Sequence, residues 1–216
     1  MRRTLIVTGG SIEPQFALSY IKKKEYSIVI GVDKGLEFLY DNDITPGYVI
    51  GDFDSVRPGI VDYYKSKQEI VIKAYNPVKD AADTQMAIEL AIECGSTRID
   101  ILGAIGTRMD HVLGNIACLM IPLEDQIPCY IINEFNKICL INRSTQIFKK
   151  RQFGTFVSLI SYTQKVIGLT LEGFKYPLKN YTLQGNNSLG ISNEIVEDIG
   201  TITFEKGIIV MIQSKD

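Results

Sequence analysis

Histidine is nearly absent from this chain of 216 residues: His111 is the single example. Cysteine is sparse and unpaired, because Cys94, Cys118, Cys129 and Cys139 form no C-x-x-C spacing. A zinc site built on Cys and His needs close, paired ligands, so none is supported. The cysteines lie in apolar segments and read as buried free thiols, which fits a reducing compartment. Charge of one sign is never concentrated. The net charge is -2, and the longest basic run, Lys22-Lys23-Lys24, reads as the solvated end of a helix. That argues against a nucleic-acid-binding face. No apolar run reaches membrane-spanning length. The first one, Thr4-Leu5-Ile6-Val7, is too short for a signal-peptide core and stops at Gly9-Gly10. The expectation is a cytoplasmic protein with no membrane and no nucleic-acid partner. Sequons such as Asn142-Arg143-Ser144 then carry no glycan. Two nucleotide motifs are missing as well. There is no G-x-x-x-x-G-K-[ST], which excludes a P-loop, and no G-x-G-x-x-G after the first strand. Thr8-Gly9-Gly10-Ser11 is a Gly-rich turn and a weak signal by itself.

What is present is ordinary in composition: 45% hydrophobic and 22% charged residues, enough for a sizeable core in one large or two modest domains. Up to about residue 134 short apolar runs alternate with helical patterns. The runs are Leu5-Ile6-Val7, Ile28-Val29-Ile30, Tyr48-Val49-Ile50, Ile70-Val71-Ile72, Ile99-Asp100-Ile101-Leu102 and Cys129-Tyr130-Ile131-Ile132. Continuous β-branched runs are the signature of parallel strands covered on both faces. Helices are expected over 13–24, over 80–94 with Gly95 as a stop, and over 110–120 with Pro122 as a terminator. After about residue 135 helical periodicity disappears and strand-like runs dominate, among them 155–161, 166–171, 201–204 and 208–212. Glu205-Lys206-Gly207 is expected to close a hairpin. The fold class is therefore an α/β domain with a parallel sheet and helices on both faces over 1–134, followed by an all-β sandwich over 135–216.

Ligands of open α/β sheets bind outside the carboxyl ends of the strands. Aspartates fall at four such ends: Asp33, then Asp52 and Asp54 in Gly51-Asp52-Phe53-Asp54-Ser55, then Asp80 and Asp83 beside Lys79, then Asp110 beside Arg108 and His111. In an extended backbone side chains at i and i+2 share a face, so Asp52 and Asp54 are expected to converge. Paired ionised carboxylates repel unless a cation or proton lies between them, and oxygen-only ligands suit Mg2+. The alternative at each position is a turn or a helix cap, for which aspartate is also a preferred residue. Gathered on one edge, the four groups call for counter-ions. With Lys79, Arg108 and Arg57 nearby, Mg2+ and a polyphosphate are the expected ligands.

The ordered set Asp33, Gly51-Asp52-Phe53-Asp54-Ser55, Lys79-Asp80-x-x-Asp83 and Gly103-Ala104-x-x-x-Arg108-x-Asp110-His111-x-x-x-Asn115 resembles the thiamine pyrophosphokinase family. The second half adds Gly173-Phe174-Lys175-Tyr176-Pro177-Leu178 and Gly190-Ile191-Ser192-Asn193-Glu194, similar to the family's thiamine-side motifs. The resemblance spans nearly the whole chain. It implies an ATP- and Mg2+-binding domain, a thiamine-binding β-sandwich, and a homodimer with active sites at the subunit interface. The implied reaction moves pyrophosphate from ATP to thiamine, giving thiamine diphosphate and AMP. It further implies that Asp33, Asp52, Asp54, Asp80 and Asp83 hold Mg2+ and triphosphate, with Asp52, Asp54, Asp80, Asp83 and Asp110 as the catalytic carboxylates. Asp33, Lys79, Arg108, Asp110 and His111 would lie at ATP, and Tyr176, Ser192 and Asn193 at thiamine. One departure is visible: Ala82 stands where the family commonly has threonine. Two further readings share the acidic edge, namely another ATP-dependent phosphotransferase acting on a different small alcohol and a non-catalytic nucleotide- or thiamine-binding regulator.

Overall fold

The six apolar runs of the first part of the chain all form strands, and each pairs in parallel with its neighbours. The computed structural model describes residues 1–74 and 83–216. They form two units, Met1–Glu134 and Phe135–Asp216. The first runs β1 (Arg3–Val7), α1 (Pro14–Lys22), β2 (Ile28–Val32), α2 (Gly35–Asp41), β3 (Tyr48–Gly51), α3 (Ile60–Lys65), β4 (Val71–Ala74), α4 (Asp83–Glu93), β5 (Arg98–Leu102), α5 (Met109–Cys118), α6 (Met120–Glu124) and β6 (Cys129–Ile132). The sheet order in this unit is β6-β5-β1-β2-β3-β4. β1 is therefore central, and the chain reverses its direction of travel across the sheet between β1 and β5. Open α/β sheets place their ligands at the carboxyl ends of the strands beside such a reversal.

Successive strand residues face opposite sides, so the burial of Thr4, Leu5, Ile6 and Val7 together means that both faces of β1 are covered. Each fully buried Leu or Ile contributes about 1.5–3 kcal/mol of transfer free energy. A charged residue, Asp100, is also fully buried, on β5. Its carboxylate accepts from Tyr26 Oη at 2.8 Å, Tyr20 Oη at 3.3 Å and Arg98 Nε at 3.2 Å, with Lys24 Nζ at 3.6 Å. Such partners are what keep a buried charge tolerable. Burial, and then the Asp100 charge, push both tyrosine pKa values up. Lys24 is thus half-buried and paired, which corrects the reading of Lys22-Lys23-Lys24 as wholly solvated.

The helices start and stop for local reasons. Glu13 caps α1 by accepting from the Gln15 and Phe16 N–H groups, and Pro14 occupies the first turn. The expected Met86, Leu90 and Ala91 stripe of α4 is buried, and Gly95 ends the helical region with φ 75°. Pro122 does not stop the helical path. It lies in the first turn of α6, where a missing N–H costs nothing.

The second unit comprises β7 (Asn136–Ile141), β8 (Thr145–Phe148), β9 (Phe156–Ser161), β10 (Lys165–Glu172), β11 (Leu178–Gln184), β12 (Asn193–Glu194), β13 (Ile199–Thr203) and β14 (Ile209–Ser214). They form two antiparallel arrays, β12-β9-β14-β7 and β11-β10-β13-β8. The hairpin expected at Glu205-Lys206-Gly207 does not exist. Its two flanking strands belong to different arrays, and the segment carries the chain from one to the other while Lys206 bridges to Ile167. Gly207 does take a positive φ, 119°, and a Cβ there would sit 2.8 Å from the Lys165 carbonyl oxygen. The glycine serves a sheet-switching corner.

Candidate active site

A cleft of about 390 Å3 opens at the carboxyl ends of the parallel strands. Its floor comes from the two loops that diverge from β1 and β5, Thr8-Gly9-Gly10 and Gly103-Ala104 followed by Gly106-Thr107. These loops are tied together: Gly10 N–H donates to Gly103 O at 2.7 Å, Ser11 N–H to Ile105 O at 2.8 Å, and Thr8 Oγ1 to Gly103 O at 2.9 Å. A Cβ on Gly10 would lie 2.3 Å from Gly103 O, so the close approach requires glycine. Asn115 Nδ2 donates to Ala104 O at 2.8 Å and holds the β5 loop from the α5 side.

Asp33 and Asp83 enter this cleft from the ends of β2 and the start of α4. Asp33 has φ 44°, a left-handed conformation that aspartate tolerates, and its N–H donates to Ile50 O at 3.0 Å. Its carboxyl is pushed up to about 7, first by burial and then by a side-chain hydrogen bond to, and the charge of, Asp83. Asp52 adds to the rise, while the Phe53 N–H, donating to Asp33 Oδ1 at 3.4 Å, opposes it. The crowding of Asp33 by Asp83 and Asp52 disfavours its charged form, and a nearby cation would relieve it. Gly51 makes room for this arrangement: a Cβ at 51 would lie 1.8 Å from Asp33 Oδ1.

Asp52 and Asp54 do not stand on one face of an extended segment as their spacing suggested. Phe53 takes φ 64°, and Asp54 N–H donates to Asp52 Oδ1 at 3.1 Å, so the pentapeptide is a turn with both aspartates exposed. Ser55 of the same turn lines the cleft. Arg108 and His111 also line it. Arg108 is engaged by Asp110 through Nη2–Oδ2 at 2.6 Å and Nε–Oδ1 at 3.2 Å, both groups exposed. The hydrogen-bonded guanidinium holds the Asp110 carboxyl down at about 2. Arg57 lies elsewhere, paired with Asp41 at 2.6 Å and Glu37 at 3.8 Å. Lys79, Asp80 and Ala82 lie outside the described residues.

Among the described residues no three His, Cys, Asp or Glu side chains converge as a metal cluster. Asp33 and Asp83, which line one cleft and crowd each other electrostatically, are chemically suited to a hard divalent cation, which takes carboxylate oxygens as ligands. The sequence reading missed Lys34 and Thr84 in the cleft lining. Lys34 had a usable signal, because it directly follows Asp33 at a strand end.

In the second unit Asn193 is buried and its amide is fully engaged. Nδ2 donates to Tyr176 O at 2.8 Å, and Oδ1 accepts from Tyr176 N–H at 3.0 Å and Glu194 N–H at 2.9 Å. This clip leaves the Tyr176 ring 59% exposed. Ser192 is exposed with φ 57°, and its N–H donates to Ser158 Oγ at 3.0 Å.

The protein is thus a parallel α/β unit with a glycine-floored cleft at its strand ends, lined also by Asp33 and Asp83, followed by an antiparallel β unit. The chain belongs to the thiamine pyrophosphokinase family. The family model described as thiamin pyrophosphokinase, catalytic domain, matches residues 19–131. The model described as thiamin pyrophosphokinase, vitamin B1 binding domain, matches residues 144–209. Thiamine pyrophosphokinase of Bacillus subtilis (strain 168) is 36% identical over 192 residues, covering 89% of each chain. Thiamine pyrophosphokinase 1 of Oryza sativa subsp. japonica is 26% identical over 181 residues, 79% of this chain and 67% of that one. The crystal structure of the Bacillus subtilis thiamine pyrophosphokinase superposes with a TM-score of 0.89 at 34% identity over the whole of both chains. That of Geobacillus thermodenitrificans gives 0.85 at 29% identity, covering 99% and 98%. The resemblance carried by the ordered motifs is borne out.

Proposed function

We propose that this protein transfers the pyrophosphoryl group of ATP to the hydroxyl of thiamine in a Mg2+-dependent reaction, releasing thiamine diphosphate and AMP. The observation that carries this reading is the Asp33–Asp83 carboxyl pair facing a glycine-floored cleft in a chain whose second part matches a vitamin B1 binding domain. The thiamine hydroxyl oxygen attacks the β-phosphorus. The bond from that phosphorus to the oxygen bridging the α- and β-phosphates breaks, AMP leaves with the bonding pair, and the hydroxyl proton is released.

Asp33, Asp52, Asp54 and Asp83, with Asp80, would hold Mg2+, which neutralises the phosphate oxygens and favours an in-line geometry. The glycines at 9, 10, 103 and 106 let the triphosphate approach the backbone. Arg108, Asp110 and His111 stand at the nucleotide end of the cleft. Tyr176 offers an exposed ring to thiamine, Ser192 a hydroxyl, and Asn193 positions both by clipping the Tyr176 backbone. The two antiparallel arrays form the sandwich of a thiamine-binding domain at 135–216, and the α/β domain at 1–134 binds ATP. The working unit is a cytoplasmic homodimer with active sites at the subunit interface. Among the described residues no helix is long and apolar enough to cross a membrane.

The test is to incubate the protein with ATP, Mg2+ and thiamine and separate the products. AMP and thiamine diphosphate in equal amounts are expected. ADP with a thiamine monophosphate product would make it a simple kinase, and binding without turnover would make it a regulator.

A further inference from the structure

Among the described residues two basic side chains line the cleft, Arg108 and Lys34, and they differ in one respect. Arg108 is spent on Asp110 through two hydrogen bonds. Lys34 makes no ion pair and no side-chain hydrogen bond among the described residues. Its backbone is held on both sides. Asp33 before it is fixed in the left-handed region at φ 44°. Gly35 after it packs so tightly on β1 that a Cβ would lie 2.2 Å from Val7 O. A Cβ on Gly9 would meet the Lys34 Cβ at 3.0 Å, so the lysine stem lies against the glycine turn that floors the cleft.

A lysine with no partner among the described residues, in a cleft lined by two carboxyl groups and a glycine floor, suits a polyanion that also carries a metal. Lysine serves as a point charge for phosphate without the geometric demands of arginine. The chain has no P-loop lysine, and Lys34 offers a basic side chain at the end of β2 instead. We propose that Lys34 is a binding residue for the phosphates of ATP beyond the α-position. This rests on reading the cleft as the ATP site, and it assigns the unpaired charge there to Lys34 instead of Arg108.

The test compares wild type, Lys34→Ala and Lys34→Arg. Calorimetric titrations with ATP, AMP and inorganic triphosphate in Mg2+ are combined with KM values for ATP and thiamine. Lys34→Ala should weaken ATP and inorganic triphosphate by about tenfold or more, the loss expected for one charge-assisted contact. AMP affinity and the thiamine KM should stay within about twofold, which is under half a kcal/mol. Lys34→Arg should recover most of the ATP affinity, and an unchanged melting temperature would show that both variants fold. ATP affinity unchanged in Lys34→Ala, or ATP and AMP weakened equally, overturns the proposal. A wild type that binds ATP but makes no thiamine diphosphate sinks the proposed function while leaving Lys34 standing. A wild type that makes thiamine diphosphate alongside an unaffected Lys34→Ala sinks Lys34 alone. A wild type that binds no ATP sinks both.

Discussion

A methyl group at position 51 would occupy the space of the Asp33 carboxylate, with a Cβ 1.8 Å from Oδ1. The glycine that opens the Gly51-Asp52-Phe53-Asp54-Ser55 motif thus serves a side chain eighteen positions earlier in the chain, and the motif's turn delivers the Phe53 N–H to the same carboxylate. Of the two exposed aspartates of this turn, Asp52 is close enough for its charge to add to the rise at Asp33. Replacing Asp52 or Asp54 by Asn should cost at least ~10^2 in turnover, the scale of losing one main electrostatic element of a site. Near-wild-type turnover of both variants at saturating Mg2+ would remove these residues from the metal site. Asp110 gives a separate residue-scale test. Its carboxyl is held down at about 2 by Arg108, below the ordinary value of 3.8. A depressed acid contributes its pairing above its unfolded pKa and loses it as pH falls through the folded one, so the Arg108–Asp110 pair should persist at pH 4 and open near pH 2. Carboxyl NMR should show Asp110 titrating near 2 in the wild type and moving up toward the ordinary value in Arg108→Ala, with the His111 N–H still holding it somewhat down.

At the scale of elements, the cleft depends on two loops from neighbouring strands fitting against each other without side chains. Gly103 has φ 75°, and a Cβ there would lie 2.2 Å from Thr8 O, so alanine faces both a left-handed backbone and a backbone clash. Gly103→Ala should destabilise the protein by about 1–3 kcal/mol, the cost of one strained conformation. It should also weaken ATP binding more than any change confined to the rim; a denaturant midpoint and a nucleotide titration check the two effects. The same economy explains α5 and α6. Pro122 was expected to end a helix and instead begins one, because the first turn of a helix has no use for the missing N–H.

For the whole molecule, the two units differ in secondary structure and in what they expose. The parallel unit gathers strand ends around one cleft, and the antiparallel unit presents Tyr176, held through the Asn193 clip, and Ser192 at its surface. A homodimer should weigh twice the 24.2 kDa chain by light scattering or sedimentation. A monomer that is fully active at assay concentrations would contradict interface active sites.

The sequence by itself determined the class of sheet, because β-branched runs without alternation can be stable only where both faces are covered, as at Leu5-Ile6-Val7. It also determined the family, since the order of modest motifs along the chain is far more specific than any one of them. Only the tertiary structure decided which groups meet. Asp33 and Asp83 are fifty residues apart and share a cleft because α4 packs back against β2. Asp52 and Asp54 are two apart, yet the left-handed Phe53 between them cancels the shared face that spacing alone implies. The segment at 205–207 looks like a hairpin locally, but its flanking strands find different sheets. Periodicity records which side of a strand is buried. Partner choice, backbone handedness at single residues, and whether a cation such as Lys34 or Arg108 is already paired are set by non-local contacts that no window of the sequence contains.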